Sequence, residues 1–229
     1  RAAEELRSAL IFRALARSAW LARIPDPWPQ LFKAACRDEV RHARLCAEVG
    51  RQLGAAAPEY DARPVQARLA RLSEPLLRAA TLLLVEVAMG ETVSTLLFRA
   101  GRRSALEPLT RAALTSILAD EVRHQRLGWM AMTALWPRLS PAQRRALQTE
   151  ASSALAAFER KIAAPALDRL RRAERFDAGY AALGVLAPKV RVEAFYFAIE
   201  RLVLPRLERL GLDGKLAWSE RYRADPSLP

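Results

Sequence analysis

Two identical pentapeptides, Asp38-Glu39-Val40-Arg41-His42 and Asp120-Glu121-Val122-Arg123-His124, hold the only two histidines of a 229-residue chain. Carried on to Leu45 and Leu127, seven of eight positions agree, at an offset of 82 residues. In each copy Glu and His stand at i and i+3, neighbours on one helical face, so a carboxylate oxygen and an imidazole nitrogen can reach one point in space. Two such pairs on facing helices, joined by one Glu from each of two further helices, supply four carboxylates and two imidazoles. Four negative charges balance two divalent cations, and a mixed oxygen and nitrogen donor set suits iron or manganese better than a thiolate-seeking metal. A lone Glu-x-x-His carries little weight, because Glu and Arg are common on solvated faces; the bland reading of the pair is a duplicated salt-bridged face or a centre that has lost its metal.

The elements that must position these residues read as helices. Hydrophobic residues make up 52% of the chain, mostly Ala and Leu, with only 9 Gly, which favours helix over strand and predicts an all-α protein. The pattern predicts a first helix over residues 1–22, ended by Pro25, Pro27 and Pro29, and a second over 28–53. Residues 54–64 read as loop. Ser73-Glu74-Pro75 opens a third helix running to about residue 101, and Ser104-Ala105-Leu106-Glu107 has the capping-box form and opens a fourth, to about residue 135. The 82-residue offset lays the second helix on the fourth, so the first four read as a duplicated helical hairpin. Beyond them, Ser140-Pro141-Ala142-Gln143 is a second capping box, opening a helix to about 175 that Pro165 should kink, and a sixth helix spans about 190–210 with Pro205 near its end. The expected organisation is a four-helix bundle over 1–136 with additional C-terminal helices over 137–229 packed on it.

The third and fourth carboxylates are choices between neighbours. Glu4 and Glu86 each lie 35 residues before their motif Glu, whereas Glu5 and Glu91 lie 34 and 30 before theirs. Glu91 has Gly90 beside it and Ser94 and Thr95 one turn on, leaving room for a metal and small ligands, and Glu86 points about 140° away at 100° per residue. The preferred set is therefore Glu5, Glu39, His42, Glu91, Glu121 and His124, with Glu4 and Glu86 as the alternatives: Glu4 a first-turn acid favoured by the helix dipole, Glu86 a buried acid in need of a partner.

The net charge of +12 raises nucleic acid as a partner, but only four of the basic residues are Lys and the Arg are spread over every segment, so nucleic acid is disfavoured. Cys36 and Cys46 lie about 15 Å apart along one predicted helix, too far for a disulfide. No signal-peptide pattern is visible and no apolar run reaches bilayer length, so a cytoplasmic protein without a membrane partner is expected.

These residues resemble the ferritin-like di-iron carboxylate superfamily, and the Asp-Glu-x-Arg-His form is similar to its oxygen-activating branch, which includes soluble methane monooxygenase hydroxylase, acyl carrier protein desaturases and the radical subunit of class I ribonucleotide reductase. The resemblance covers roughly residues 1–136. It implies two iron ions (or manganese, or a mixed Mn/Fe pair), an outer role for Asp38 and Asp120 as acceptors for ligand histidines, and interest in Cys46, one turn after His42. In the reductase subunit that position resembles the place of the radical tyrosine, and in methane monooxygenase that of a cysteine. The equivalent of Cys46 in the second repeat is Gly128. A small packing residue is the commoner role for either cysteine. The aryl-amine N-oxygenases of the superfamily use an extra histidine ligand, which this chain lacks, and the Cys-rich iron site of rubrerythrins is absent. The closest overall look is to bacterial ferritin-like domain proteins with Gly-Glu-Thr on the third helix, here Gly90-Glu91-Thr92.

The expected function is an oxygen-activating di-iron oxidase or monooxygenase acting with molecular oxygen and an electron donor on a small organic molecule, in a chain that can form a homodimer. Ferroxidase or peroxide handling, a tRNA-modifying hydroxylase, and a scaffold retaining structural metal are the rival readings. A mineral core or cage assembly, salt-dependent tRNA binding, and a redox-inert metal would mark them respectively.

Overall fold

The computed structural model describes residues 1–56, 59–219 and 221–222, and among these there is helix and no strand. Helix α1 is Ala2–Leu21, α2 is Trp28–Gln52 and α3 is Arg63–Arg71. Helix α4 runs in three stretches, Pro75–Thr81, the π-helical Leu82–Gly90, and Glu91–Ser104. Helix α5 is Pro108–Leu135. Helix α6 comprises Pro141–Phe158, a π-helical Glu159–Ala163 and Ala164–Arg171; α7 is Ala178–Ala182. Helix α8 comprises Pro188–Phe197, a π-helical Ala198–Val203 and Leu204–Leu210, and α9 is Gly214–Ser219. The long helices thus fall where the sequence pattern puts them. The short α3 lies partly in the stretch read as loop, of which residues 57 and 58 are outside the described residues.

Two helix starts differ in detail from expectation. Helix α4 is capped by Glu74, whose carboxylate accepts the N–H groups of Leu76 and Leu77 at 2.8 and 2.6 Å. At α5 the box expected at Ser104 does not form: the Ser104 hydroxyl donates back to the Ala100 carbonyl, ending α4, and Glu107 caps α5 by accepting from Leu109 and Thr110. Of the two boxes expected, the one that forms is the reciprocal pair of Ser140 and Gln143 at the start of α6.

The π-helical stretches of α6 and α8 share one cause. Pro165 and Pro205 each stand two residues after the stretch ends. A proline has no N–H and its ring clashes with the carbonyl four residues back, here Lys161 and Arg201, both inside the widened coil. Shifting locally to i→i+5 bonding absorbs the conflict without ending the helix. The π-helical stretch of α4 has no such proline.

The chain divides into two compact units, Arg1–Ala88 with Val122–Leu139, and Met89–Glu121 with Ser140–Pro229. In the first, α1 packs along α2 and against the opening stretch of α4. Phe12, Leu15, Phe32 and Leu82 to Leu84 are almost fully buried there, each side chain worth about 1.5–3 kcal/mol of burial. In the second, α8 packs on the last stretches of α4 and α6, and α9 on the first stretch of α6. Its core centres on Phe195, Ile199, Leu155 and the fully buried Glu159, whose Oε1 accepts the Tyr196 hydroxyl at 2.7 Å.

Contrary to the sequence expectation, one segment among the described residues is long and apolar enough to cross a bilayer: Pro75–Ser104, the whole of α4. Of its most apolar stretch 78% is buried inside the protein. It also carries Glu86 and Glu91, both buried. These are properties of a core helix whose apolar surface is covered by protein.

Candidate metal centre

Six side chains from four helices converge as two overlapping groups, Glu5, Glu39, His42 and Glu121, and Glu39, Glu91, Glu121 and His124. In each group one ligand atom per residue lies within 4.8 Å of all the others. All six residues are buried, none more than 7% exposed. Glu39 and Glu121 belong to both groups; Glu5 and His42 belong only to the first, Glu91 and His124 only to the second.

The helices set this geometry by simple spacing. Glu39 and His42, and Glu121 and His124, are one turn apart on α2 and α5. The rings of His42 and His124 are 6.0 Å apart. Glu39 lies against both: its Oε1 is 2.9 Å from Nδ1 of His124 and its Oε2 3.6 Å from Nδ1 of His42. Burial pushes the Glu39 carboxyl up, but His124 and then His42 outweigh it and hold it down at about 2. Phe12 of α1 closes the far side of His124, with ring centroids 5.3 Å apart.

The donor set fits a pair of divalent cations. Four buried carboxylates meet two imidazoles, and Arg1 lies at the edge with its Nε 2.6 Å from Glu5 Oε1. Buried charge of one sign is costly unless compensated, and two divalent ions supply the remaining positive charge with donor atoms suited to iron or manganese.

Around the groups, Asp38 reaches across to the other repeat. Its Oδ2 lies 3.3 Å from Nε2 of His124, and its carboxylate also meets Arg41 at 3.1 Å and Arg123 at 3.5 Å, so both motif arginines join one network. Asp120, the repeat counterpart, is 5% exposed. Cys46 is half-buried and in neither group. Cys36 is a packing residue whose thiol donates to the Ala9 carbonyl, and burial raises its pKa.

Glu86 is taken by two arginines that the sequence reading did not pair with it. Arg7 Nη2 is 2.7 Å from its Oε2, and Arg68 Nη1 meets its Oε1. The position on a wholly apolar stretch showed that Glu86 needed a partner; Arg7, the sixth residue of α1, and a basic residue on the unforeseen α3 carried no local signal. Replacing Glu86 with Ala is expected to leave metal content unchanged and to lower stability by about 1–3 kcal/mol, the buried-pair cost discounted because each arginine is about a third exposed. Thermal denaturation beside metal analysis reads both arms, and loss of metal would return Glu86 to the ligand set.

Comparison with known proteins agrees with a di-iron centre. Residues 8–189 match the family described as P-aminobenzoate N-oxygenase AurF. A search of curated proteins finds no match. Among solved structures, one similar chain is protein 19 with aldehyde deformylating oxidase activity from Synechococcus, at 17% identity and a TM-score of 0.60, covering 94% of this chain and 88% of that one. That likeness establishes a ferritin-like all-α fold. The missing third histidine, which set this chain apart from aryl-amine N-oxygenases in the sequence reading, does not remove it from their family. The match spans most of the chain, including both copies of the motif, and on that ground the chain belongs to the P-aminobenzoate N-oxygenase AurF family of oxygen-activating di-iron enzymes.

Proposed function

We propose that Glu5, Glu39, His42, Glu91, Glu121 and His124 hold two iron ions, with Glu39 and Glu121 common to both, and that the chain uses them to oxidise a small organic molecule with dioxygen. The observation that carries this reading is the overlap of two four-residue groups sharing those two carboxylates. Manganese or a mixed Mn/Fe pair would suit the same donors. Iron bound there supplies the reductive activation of dioxygen.

The chain's own residues prepare the site. With a metal on Nδ1 of His124, Asp38 would accept the proton on Nε2 and hold the ring in its binding orientation. Asp120, buried at the same place in the second repeat, is assigned the matching part toward His42. Glu39, ionised far below neutral pH, is ready to bind without first losing a proton. Phe12, buried against His124, helps keep bulk water from the buried carboxylates, so that their charge would act on the metals in a medium of low polarity. Cys46 stands one turn beyond His42 on α2, and an external electron donor completes each turnover.

Metal analysis of the purified chain, joined to absorption spectra of the anaerobically reduced protein before and after oxygen, tests the reading. Two redox-active metals per chain and an oxygen-dependent spectral change are expected. A chain that loads no iron, or loads two ions and gives no change with oxygen, would overturn it.

A further inference from the structure

Resting on the oxidase reading, we infer that a pocket in the first unit binds the hydrocarbon body of the substrate, and that the substrate is a monocarboxylate of medium length. The pocket has a volume of about 160 Å³, near the roughly 150 Å³ of an apolar cavity that takes up benzene. Leu15, Phe32, Ala79, Leu83 and Ala131 form its floor, each at most 3% exposed. Pro25, Ala134 and Arg138, all exposed, form its mouth. The floor offers no polar atom from a side chain, so it selects a hydrocarbon.

Helical spacing aims this pocket at the metal centre. Phe32 stands seven residues before Glu39 on α2, and Ala131 seven residues after His124 on α5. Seven steps of 100° fall 20° short of two full turns, so each pair shares a face, displaced about 10 Å along the axis. On α1, Leu15 lies one turn beyond Phe12, the residue whose ring packs on His124. Three helices therefore carry the floor toward the same cluster, with Phe12 at the step between.

Charge sets the other end. Arg138 donates from Nη1 and Nη2 to the carbonyls of Arg23 and Ala22, at 3.1 and 2.9 Å, which fixes its guanidinium at the rim. A guanidinium has five N–H donors, so three remain for a carboxylate, which it recognises by charge and by planar geometry. An apolar floor below one oriented cation matches a hydrocarbon acid and disfavours an amine of the same length.

Octanoate is the probe, with octylamine and 1-octanol as controls, measured by calorimetry on the intact chain. Octanoate is expected to bind one per chain and at least about tenfold tighter than octylamine. Arg138→Gln is expected to weaken octanoate by about tenfold and leave 1-octanol nearly unchanged. Ala134→Trp, at the exposed mouth where extra bulk spares the core, is expected to abolish binding of all three. Equal binding of octanoate and octylamine, or full octanoate binding by Ala134→Trp, would overturn the inference. Iron content and the oxygen-dependent spectrum recorded on the same samples keep the two readings apart: a chain that loads iron but ignores octanoate sinks only the pocket, and one that binds octanoate without iron sinks only the oxidase.

Discussion

Glu39→Ala and Glu121→Ala are each expected to lose both metals, whereas Glu5→Ala and Glu91→Ala are each expected to retain one. The difference follows from membership: Glu39 and Glu121 stand in both four-residue groups, the other two in one apiece. Disturbing only the partners of metal ligands costs about 10–100-fold in affinity, so removing a carboxylate that serves two ions is expected to cost well over 100-fold at each. Charge works in the same direction, since a carboxylate shared by two cations also lowers their mutual repulsion. Metal per chain after dialysis against a weak chelator reads the outcome. Glu39→Gln, which keeps the side chain's volume, separates loss of charge from loss of fold, and circular dichroism confirms the helices in each variant. Two metals retained by Glu39→Ala, or none retained by Glu5→Ala, would break the assignment. Activity in the Glu39 and Glu121 variants is expected to fall by at least about a thousandfold, because such variants lack the centre that performs the chemistry.

How far this centre could be read from the sequence depends on which physical signal each part leaves. His42 and His124 with their Glu partners were legible because i, i+3 spacing on a helix is itself the geometry. Glu91 stands in the second group, but its angle to Glu86 is not what sets it apart. The 140° between Glu86 and Glu91 assumed 100° per residue, and that stretch is π-helical, where each residue turns the chain by less. What separates the two acids is the pair of arginines on Glu86. Long-range partners such as Arg7 and Arg68 have no spacing relation to Glu86 and leave no local trace. The helices α3, α7 and α9 were missed for a different reason: they run for only five to nine residues and depend on packing for their stability. The cap at Glu107 was misplaced because Ser104 fits the capping-box form, but its hydroxyl is already used by the preceding helix.

Gly128→Ala is expected to cost both stability and metal, because α5 meets α4 backbone to backbone at this glycine. Set against Cys46, a glycine at the repeat-equivalent position breaks the symmetry of the two halves. The structure supplies a steric reason. A Cβ at residue 128 would come within 2.7 Å of the Ala88 nitrogen, 2.8 Å of its Cα and 2.9 Å of the Val87 carbonyl carbon. All three are backbone atoms of the π-helical stretch of α4, and cannot swing aside as a side chain can. Gly128→Ala therefore must push α5 from α4 or unwind the widened coil, at a cost of about 1–3 kcal/mol, and Gly128→Cys, which would restore the symmetry of the repeat, must cost more. Glu91 begins three residues after Ala88, so any relaxation of that coil turns its carboxylate. The expected result for Gly128→Ala is a folded helical protein that melts several degrees lower and holds fewer than two metals per chain, with Glu91's share of the centre lost first. Gly50, which a Cβ would meet only at the ordinary 3.6 Å from the Ala55 side chain, is the control, and Gly50→Ala is expected to keep both metals. If Gly128→Ala loads two metals and melts like the parent, the close approach of α5 to the widened coil is not what seats Glu91.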